Sequence, residues 1–163
     1  LFANDRANDL SAAHAGDLLD AAAKMAMPVS VLAEPAHLAS VGPVARAHPA
    51  TTIIIDHLGL CTPKTARAQV DDLLALGALA NVCVRVSAFT ALSAAGYPFD
   101  DLVPLIRAVH AAFGASRLLW GTDYPYVLEA GPYRQSLDAV EAMTFLSAGD
   151  RDALLGGTAA RLY

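Results

Sequence analysis

Three consecutive isoleucines, Ile53-Ile54-Ile55, are the feature that most constrains the fold of this 163-residue chain. Successive side chains of a strand point to opposite faces of its sheet, so this run is apolar on both faces. Such a strand is typical of a parallel sheet that is covered on both sides. Parallel neighbours are joined by crossover connections of a dozen or more residues, usually helices. The run therefore predicts an α/β fold.

The rest of the chain shows the alternation that such a fold requires. Three further strands are predicted over residues 28–34, 81–87 and 118–120, and the isoleucine strand ends at Gly59. Helical patterns lie between and after them, over residues 8–25 (capped by Asp9 or Ser11), 36–47, 63–76, 99–113, 133–146 and 148–155. This order implies four parallel strands with right-handed crossovers. Two architectures fit it, a doubly wound domain and half of an eight-fold (β/α) barrel.

Length and composition exclude several classes of protein. The length indicates one domain over residues 1–163. A net charge of -5 without a basic run argues against a nucleic-acid partner. No apolar run reaches the roughly 18 residues of a membrane helix, and the first residues lack a signal-peptide pattern. Cys61 and Cys83 have no metal-type spacing, so we expect reduced thiols in a cytoplasmic protein. The sequence also lacks the glycine-rich phosphate-binding motifs.

Ionisable residues stand where the predicted strands end, at the edge where α/β folds bind ligands. Asp123 follows a short apolar run that carries Trp120, so it is a candidate functional carboxylate. The alternative interpretation is that Asp123 only forms the turn after the strand. His57 follows the isoleucine strand and could bind a metal, a substrate oxygen or a proton. Its alternative is a core histidine bonded to Asp56. Glu34 ends the strand before, or else complements the dipole of the next helix.

Arg85 lies inside a predicted strand, which is unusual for an arginine. Val82, Val84 and Val86 form one face of this strand, and Arg85 shares the other face with Cys83 and Ser87. The arginine therefore needs either an internal acid or an anionic substrate, to which it would present its planar fork.

Several of these stretches together resemble a known family. They are Asp56-His57-Leu58-Gly59, the strand 81–87, Trp120-Gly121-Thr122-Asp123-Tyr124-Pro125, and the ending 154–163. In this order and spacing they are similar to the C-terminal half of the amidohydrolase-related family, in the branch of lactonase-like TIM-barrel hydrolases. The resemblance covers nearly the whole chain.

This resemblance implies a (β/α) TIM-barrel fold of which strands five to eight are present. It places His57 and Asp123 at the barrel mouth, with Asp123 as the general base that activates water. His57 would polarise the substrate carbonyl or bind a metal. Members of the family hydrolyse lactones or amides, and a related branch decarboxylates.

The sequence also departs from the family pattern. It has no His-x-His pair, and Leu32 or Ala33 stands where many members have a histidine. Ser87-Ala88 replaces the usual Ser-Gly, and Tyr124 replaces a tryptophan. The family implies a divalent, zinc-like metal. This chain could supply only His57 and Asp123 as ligands, whereas a stable site needs three or four.

Taken together, the residues and the resemblance favour a hydrolase that acts on a lactone or another small, anionic carboxylic-acid derivative. We expect the substrate to be bound by Arg85, Ser87, Tyr124, Tyr126 and Glu34. One alternative is a non-catalytic half-barrel, whose two open sheet edges would favour a homodimer or another protein contact. The other is a decarboxylase of the same superfamily.

Overall fold

The computed structural model describes residues 1–4, 10 and 14–163, with only the backbone of Ala130. Its sheet has five strands, and all neighbouring strands are parallel. The strands are β1 (Phe2–Ala3), β2 (Val29–Ala33), β3 (Ile53–Ile55), β4 (Val82–Val86) and β5 (Leu118–Trp120). The sequence predicted the last four of them. It missed β1 because two residues are too few to show a period.

Helices connect the strands and follow the last one. They are α1 (Ala15–Lys24), α2 (Leu38–Ala47), α3 (Arg67–Ala75), α4 (Phe89–Leu92), α5 (Val103–Phe113), α6 (Val127–Ala130), α7 (Tyr133–Glu141), α8 (Ala148–Asp152) and α9 (Thr158–Leu162). A wide π-type turn, Ala153–Gly157, joins α8 to α9. The caps expected for the first helix, Asp9 or Ser11, lie outside the described residues.

The order of the strands decides between the two architectures. In space they run β1-β2-β3-β4-β5, which is also their order in the chain. A doubly wound sheet would reverse its order at a switch point, whereas a barrel adds each strand beside the last one. The fold is therefore a partial (β/α) barrel, as the resemblance implied. Within the described residues, β1 and β5 are the open edges of its sheet.

Alternate residues of the strands face two different layers. Ile53, Ile55 and Val84 belong to the large core that the sheet forms with α2, α3 and α5. On the opposite face, Ile54 lies with Cys83 and Leu119. Ala159 and Leu162 of α9 pack on that second cluster, so the last helix covers part of the inner face of the sheet.

Several helix boundaries differ from the sequence prediction. Pro63 was expected to open a helix, but α3 begins at Arg67. The reason is a local hydrogen bond, in which the Thr62 N–H donates to the Thr65 hydroxyl at 2.8 Å and fixes a turn. The connection predicted after β4 contains α4.

Toward the carboxyl end of the chain two more boundaries differ. The loop predicted over residues 126–132 contains the short helix α6, and the helix predicted over 133–146 ends at Glu141.

In the described part of the chain, no helix combines the length and the apolar character that a membrane crossing requires. Cys61 and Cys83 are both buried, free thiols. Burial raises the pKa of the Cys61 thiol to about 11, which keeps it protonated.

Candidate active site

The turn after β3 carries His57 in an unusual backbone conformation. His57 has φ +53°, and the residues that follow, Leu58, Gly59 and Leu60, have φ +54°, +63° and +52°. The left-handed region costs roughly 1–2 kcal/mol for a residue with a side chain. Asp123, after β5, is also left-handed with φ +66°. Strained residues of this kind cluster at functional sites, where the surrounding structure holds them in place.

Both nitrogens of the His57 ring have a neighbour from another strand end. Nδ1 lies 2.8 Å from the hydroxyl Oγ of Ser87, directly after β4. Nε2 lies 3.5 Å from Oδ1 of Asp123, after β5. The two side chains are 19% and 20% exposed, so the pair is reachable from solvent and partly protected from it. The register of the parallel strands thus brings His57, Ser87 and Asp123 together at the carboxyl edge of the sheet.

Arg85 lies two residues before Ser87, in β4, and its guanidinium already forms an ion pair. Its Nη1 donates a hydrogen bond to Oδ1 of Asp56, and the side chains are 25% and 14% exposed. Its Nη2 donates to the hydroxyls of Ser30, at 3.4 Å, and Tyr163, at 3.3 Å. Of the two alternatives that the sequence left open for Arg85, the internal acid is present in the structure. Substrate binding by Arg85 stays a prediction.

Burial and the arginine act in opposite directions on Asp56. Desolvation raises the pKa of the Asp56 carboxyl above its ordinary value, and the guanidinium of Arg85 opposes that rise. His57 also opposes it, whereas Asp123 adds to it as a second negative charge. The site therefore holds two contacts between an aspartate and a nitrogen-bearing side chain, His57 with Asp123 at the mouth and Arg85 with Asp56 below it.

Gly121 makes room for this arrangement. An added Cβ would lie 3.2 Å from Cδ of Arg85 and 3.4 Å from Cβ of Ser87. The Arg85 stem would have to move by a few tenths of an ångström to admit this atom. The glycine in Trp120-Gly121-Thr122-Asp123 is thus explained by the side chain that crosses it from the neighbouring strand.

The other candidate residues lie around this group. Tyr124 and Tyr126 follow Asp123 and are largely exposed, at 72% and 62%. Glu34 follows β2 and is half-buried. Within the described residues, no side-chain hydrogen bond or ion pair joins any of them to His57 or Asp123. Their predicted role in substrate binding therefore rests on position alone.

Sequence reasoning did not identify two partners of Arg85. Ser30 is a polar residue between Val29 and Val31 in β2, and the alternation of the strand was a signal for its inward position. Tyr163 is separated from Arg85 by 78 residues, and no local pattern indicates their contact. Asp56 was noticed as an unusual acid at a strand end, but only the structure pairs it with Arg85.

A metal site would be incomplete if only the described residues supplied it. The 3.5 Å between His57 Nε2 and Asp123 Oδ1 suits two neighbouring ligands of one ion. However, within residues 1–4, 10 and 14–163 no group of three or more His, Cys, Asp or Glu side chains could hold a metal. Zinc sites take three or four protein ligands. The described residues therefore do not fit a complete metal site.

The chain is similar to known proteins in both sequence and fold. The sequence profile of the amidohydrolase family matches residues 3–163. An L-fucono-1,5-lactonase from Burkholderia multivorans is 35% identical over 132 residues, which are 71% of this chain and 44% of that protein.

Solved structures show the same fold. A crystal structure of an amidohydrolase from Burkholderia multivorans with bound zinc is 30% identical, with a TM-score of 0.83 over 94% of this chain and 58% of that one. A 2-pyrone-4,6-dicarboxylic acid hydrolase from Pseudomonas putida, described as putative in its structure report, is 28% identical, with a TM-score of 0.78 over 99% and 61%. The chain spans about half the length of the curated relatives it matches. The sequence resemblance is thereby confirmed, and the chain belongs to the amidohydrolase family.

Proposed function

We propose that this chain carries the general base and the substrate-polarising histidine of a hydrolase that opens a lactone or a similar small carboxylic-acid derivative. The single observation that carries the proposal is the facing pair of His57 Nε2 and Asp123 Oδ1, 3.5 Å apart at the mouth of the partial barrel. The lactonase relative supports the substrate class.

The roles follow from the chemistry of the two side chains. The Asp123 carboxylate accepts a proton from water as the oxygen attacks the substrate carbonyl. The His57 Nε2–H donates to the carbonyl oxygen, on which negative charge develops. The bond between the carbonyl carbon and the ring oxygen then breaks, and the proton held by Asp123 passes to that leaving oxygen to give a hydroxyl. The new carboxylic acid releases its own proton to solvent and becomes a carboxylate.

A substrate that is anionic, or becomes so on ring opening, would meet a cationic side chain nearby. The Arg85 guanidinium is 25% exposed, and one of its nitrogens contacts only hydroxyl groups among the described residues. We propose that Arg85 attracts the substrate carboxylate while Asp56 holds its other nitrogen. Tyr124 and Tyr126 would line the entrance. A divalent metal shared by His57 and Asp123 would need further ligands from outside the described residues.

The test is hydrolysis of L-fucono-1,5-lactone, the substrate named for the relative, by the purified protein and by its Asp123→Asn variant. Because the amide cannot accept the proton, kcat should fall by about 10²- to 10⁴-fold. Asp71→Asn, at an exposed ion pair on α3, is the matched control and should keep full activity.

Three outcomes would contradict the proposal. Full activity in Asp123→Asn would show that Asp123 is not the general base. No turnover of any lactone by the unchanged protein would favour the non-catalytic half-barrel. Release of carbon dioxide from an aromatic carboxylic acid, measured in the same samples, would favour the decarboxylase.

A further inference from the structure

The hydroxyl of Ser87 is buried and lies beside the His57 ring. Ser87 is 1% exposed, and its Oγ lies 2.8 Å from His57 Nδ1, on the side of the ring away from Asp123. A side chain so deeply buried has little surface left for a substrate. Its hydroxyl can still act on the substrate through the histidine.

The backbone after Ser87 supports this placement. Ala88 is left-handed, with φ +60° and ψ +33°, so the chain turns sharply as soon as β4 has delivered the serine. Across from it, a Cβ added to Gly121 would lie only 3.4 Å from Cβ of Ser87. The serine side chain is therefore enclosed, and its hydroxyl is directed at the imidazole.

We infer that Ser87 is a positioning residue, whose hydroxyl donates to Nδ1 of His57 and so keeps the proton of the neutral ring on Nε2, facing Asp123. The inference rests on the proposed function, because it assigns the purpose of the contact to His57 chemistry. One observation supports the direction of the bond. The carboxylate of Asp123 accepts hydrogen bonds only, so it favours a proton on Nε2.

The experiment combines nitrogen NMR of the histidine rings with kinetics on Ser87→Ala. The protein is labelled with ¹⁵N-histidine and freed of divalent ions with a chelator, and the His57 signals are assigned by their loss in His57→Gln. In the unchanged protein Nε2 should carry the proton. In Ser87→Ala the signals should shift toward a mixture of both tautomers. Ser136→Ala, which removes another buried serine hydroxyl on α7, is the matched control and should leave them unchanged.

The kinetic readout separates positioning from binding. Loss of an orienting contact of this kind costs about 10- to 100-fold, so kcat of Ser87→Ala should fall by at least about tenfold with KM nearly constant. A rise in KM at constant kcat would overturn the inference in favour of direct substrate contact. So would an unchanged His57 tautomer in folded Ser87→Ala. A shifted tautomer in a protein without any lactonase activity would support the positioning role while refuting the proposed function.

Discussion

The ion pair of Arg85 and Asp56 predicts a defined loss of stability when the guanidinium is removed. Deleting one partner of a buried ion pair costs about 3–5 kcal/mol, because the remaining charge stays poorly solvated. The Arg85 and Asp56 side chains are 25% and 14% exposed, so solvent screens part of their interaction. Methionine preserves most of the apolar stem. We expect Arg85→Met to lower the free energy of unfolding by about 2–3 kcal/mol.

A double-mutant cycle tests whether Asp56 is the cause of that loss. In Arg85→Met, the Asp56 carboxylate has lost the cation that opposed the effect of burial. Asp56→Asn removes this charge, so the double variant should be less unstable than the sum of the single ones. The coupling should be about 1–2 kcal/mol. The measurement is urea unfolding at pH 7, followed by circular dichroism.

The control is an ion pair of similar chemistry on the surface. Arg67 and Asp71 pair on α3 with 82% and 51% exposure. Arg67→Met should change the free energy of unfolding by less than about 0.5 kcal/mol. Equal losses in Arg85→Met and Arg67→Met, or additivity in the cycle, would refute the reasoning. A stable Arg85→Met with a raised KM would assign Arg85 to the substrate alone.

Two further predictions concern Ala88, directly after Ser87, and Asp101, in the connection between α4 and α5. In urea unfolding, the free energy of unfolding of Ala88→Gly should lie within about 0.5 kcal/mol of that of the unchanged protein. The reason is that relief of the left-handed backbone offsets the loss of the buried methyl group. Ala45→Gly, equally buried but inside α2, should cost about 2 kcal/mol, and equal losses in both would contradict the argument. Asp101 accepts hydrogen bonds from the Ser93 hydroxyl and two backbone N–H groups, which hold its pKa below the ordinary 3.8. The contribution of the ionised Asp101 to stability is present above pH 3.8 and is lost as the pH falls through its lowered pKa. At pH 7 the melting temperature of Asp101→Asn should therefore be below that of the unchanged protein, and the difference between the two should become smaller below pH 4. A constant difference would refute this assignment.

Much of the fold could be predicted because it depends on local patterns. The isoleucine strand and the valine alternation of β4 state which strands are buried and which face each residue takes. His57 and Asp123 could be singled out because ionisable residues at the ends of buried strands are costly unless they serve a purpose. The family resemblance drew on these same stretches, and the family match confirms it.

The departure at Ala88 shows where the sequence stopped short. The resemblance expects Ser-Gly at this place, and the structure gives the reason, since residue 88 is left-handed and glycine adopts that region without strain. The sequence showed that the pattern was broken. It did not show that residue 88 is left-handed, a conformation that is less favourable for alanine than for glycine.

The sequence by itself determined the alternation of strands and helices, the buried faces of β3 and β4, and the residues that end each strand. Only the tertiary structure decided which of those residues meet. His57 and Ser87 are 30 positions apart and Arg85 and Asp56 are 29 apart, and their contacts depend on strand order and register. Periodicity reports the environment of one strand at a time. The partner of a side chain is fixed by the neighbouring strand, which no local pattern names.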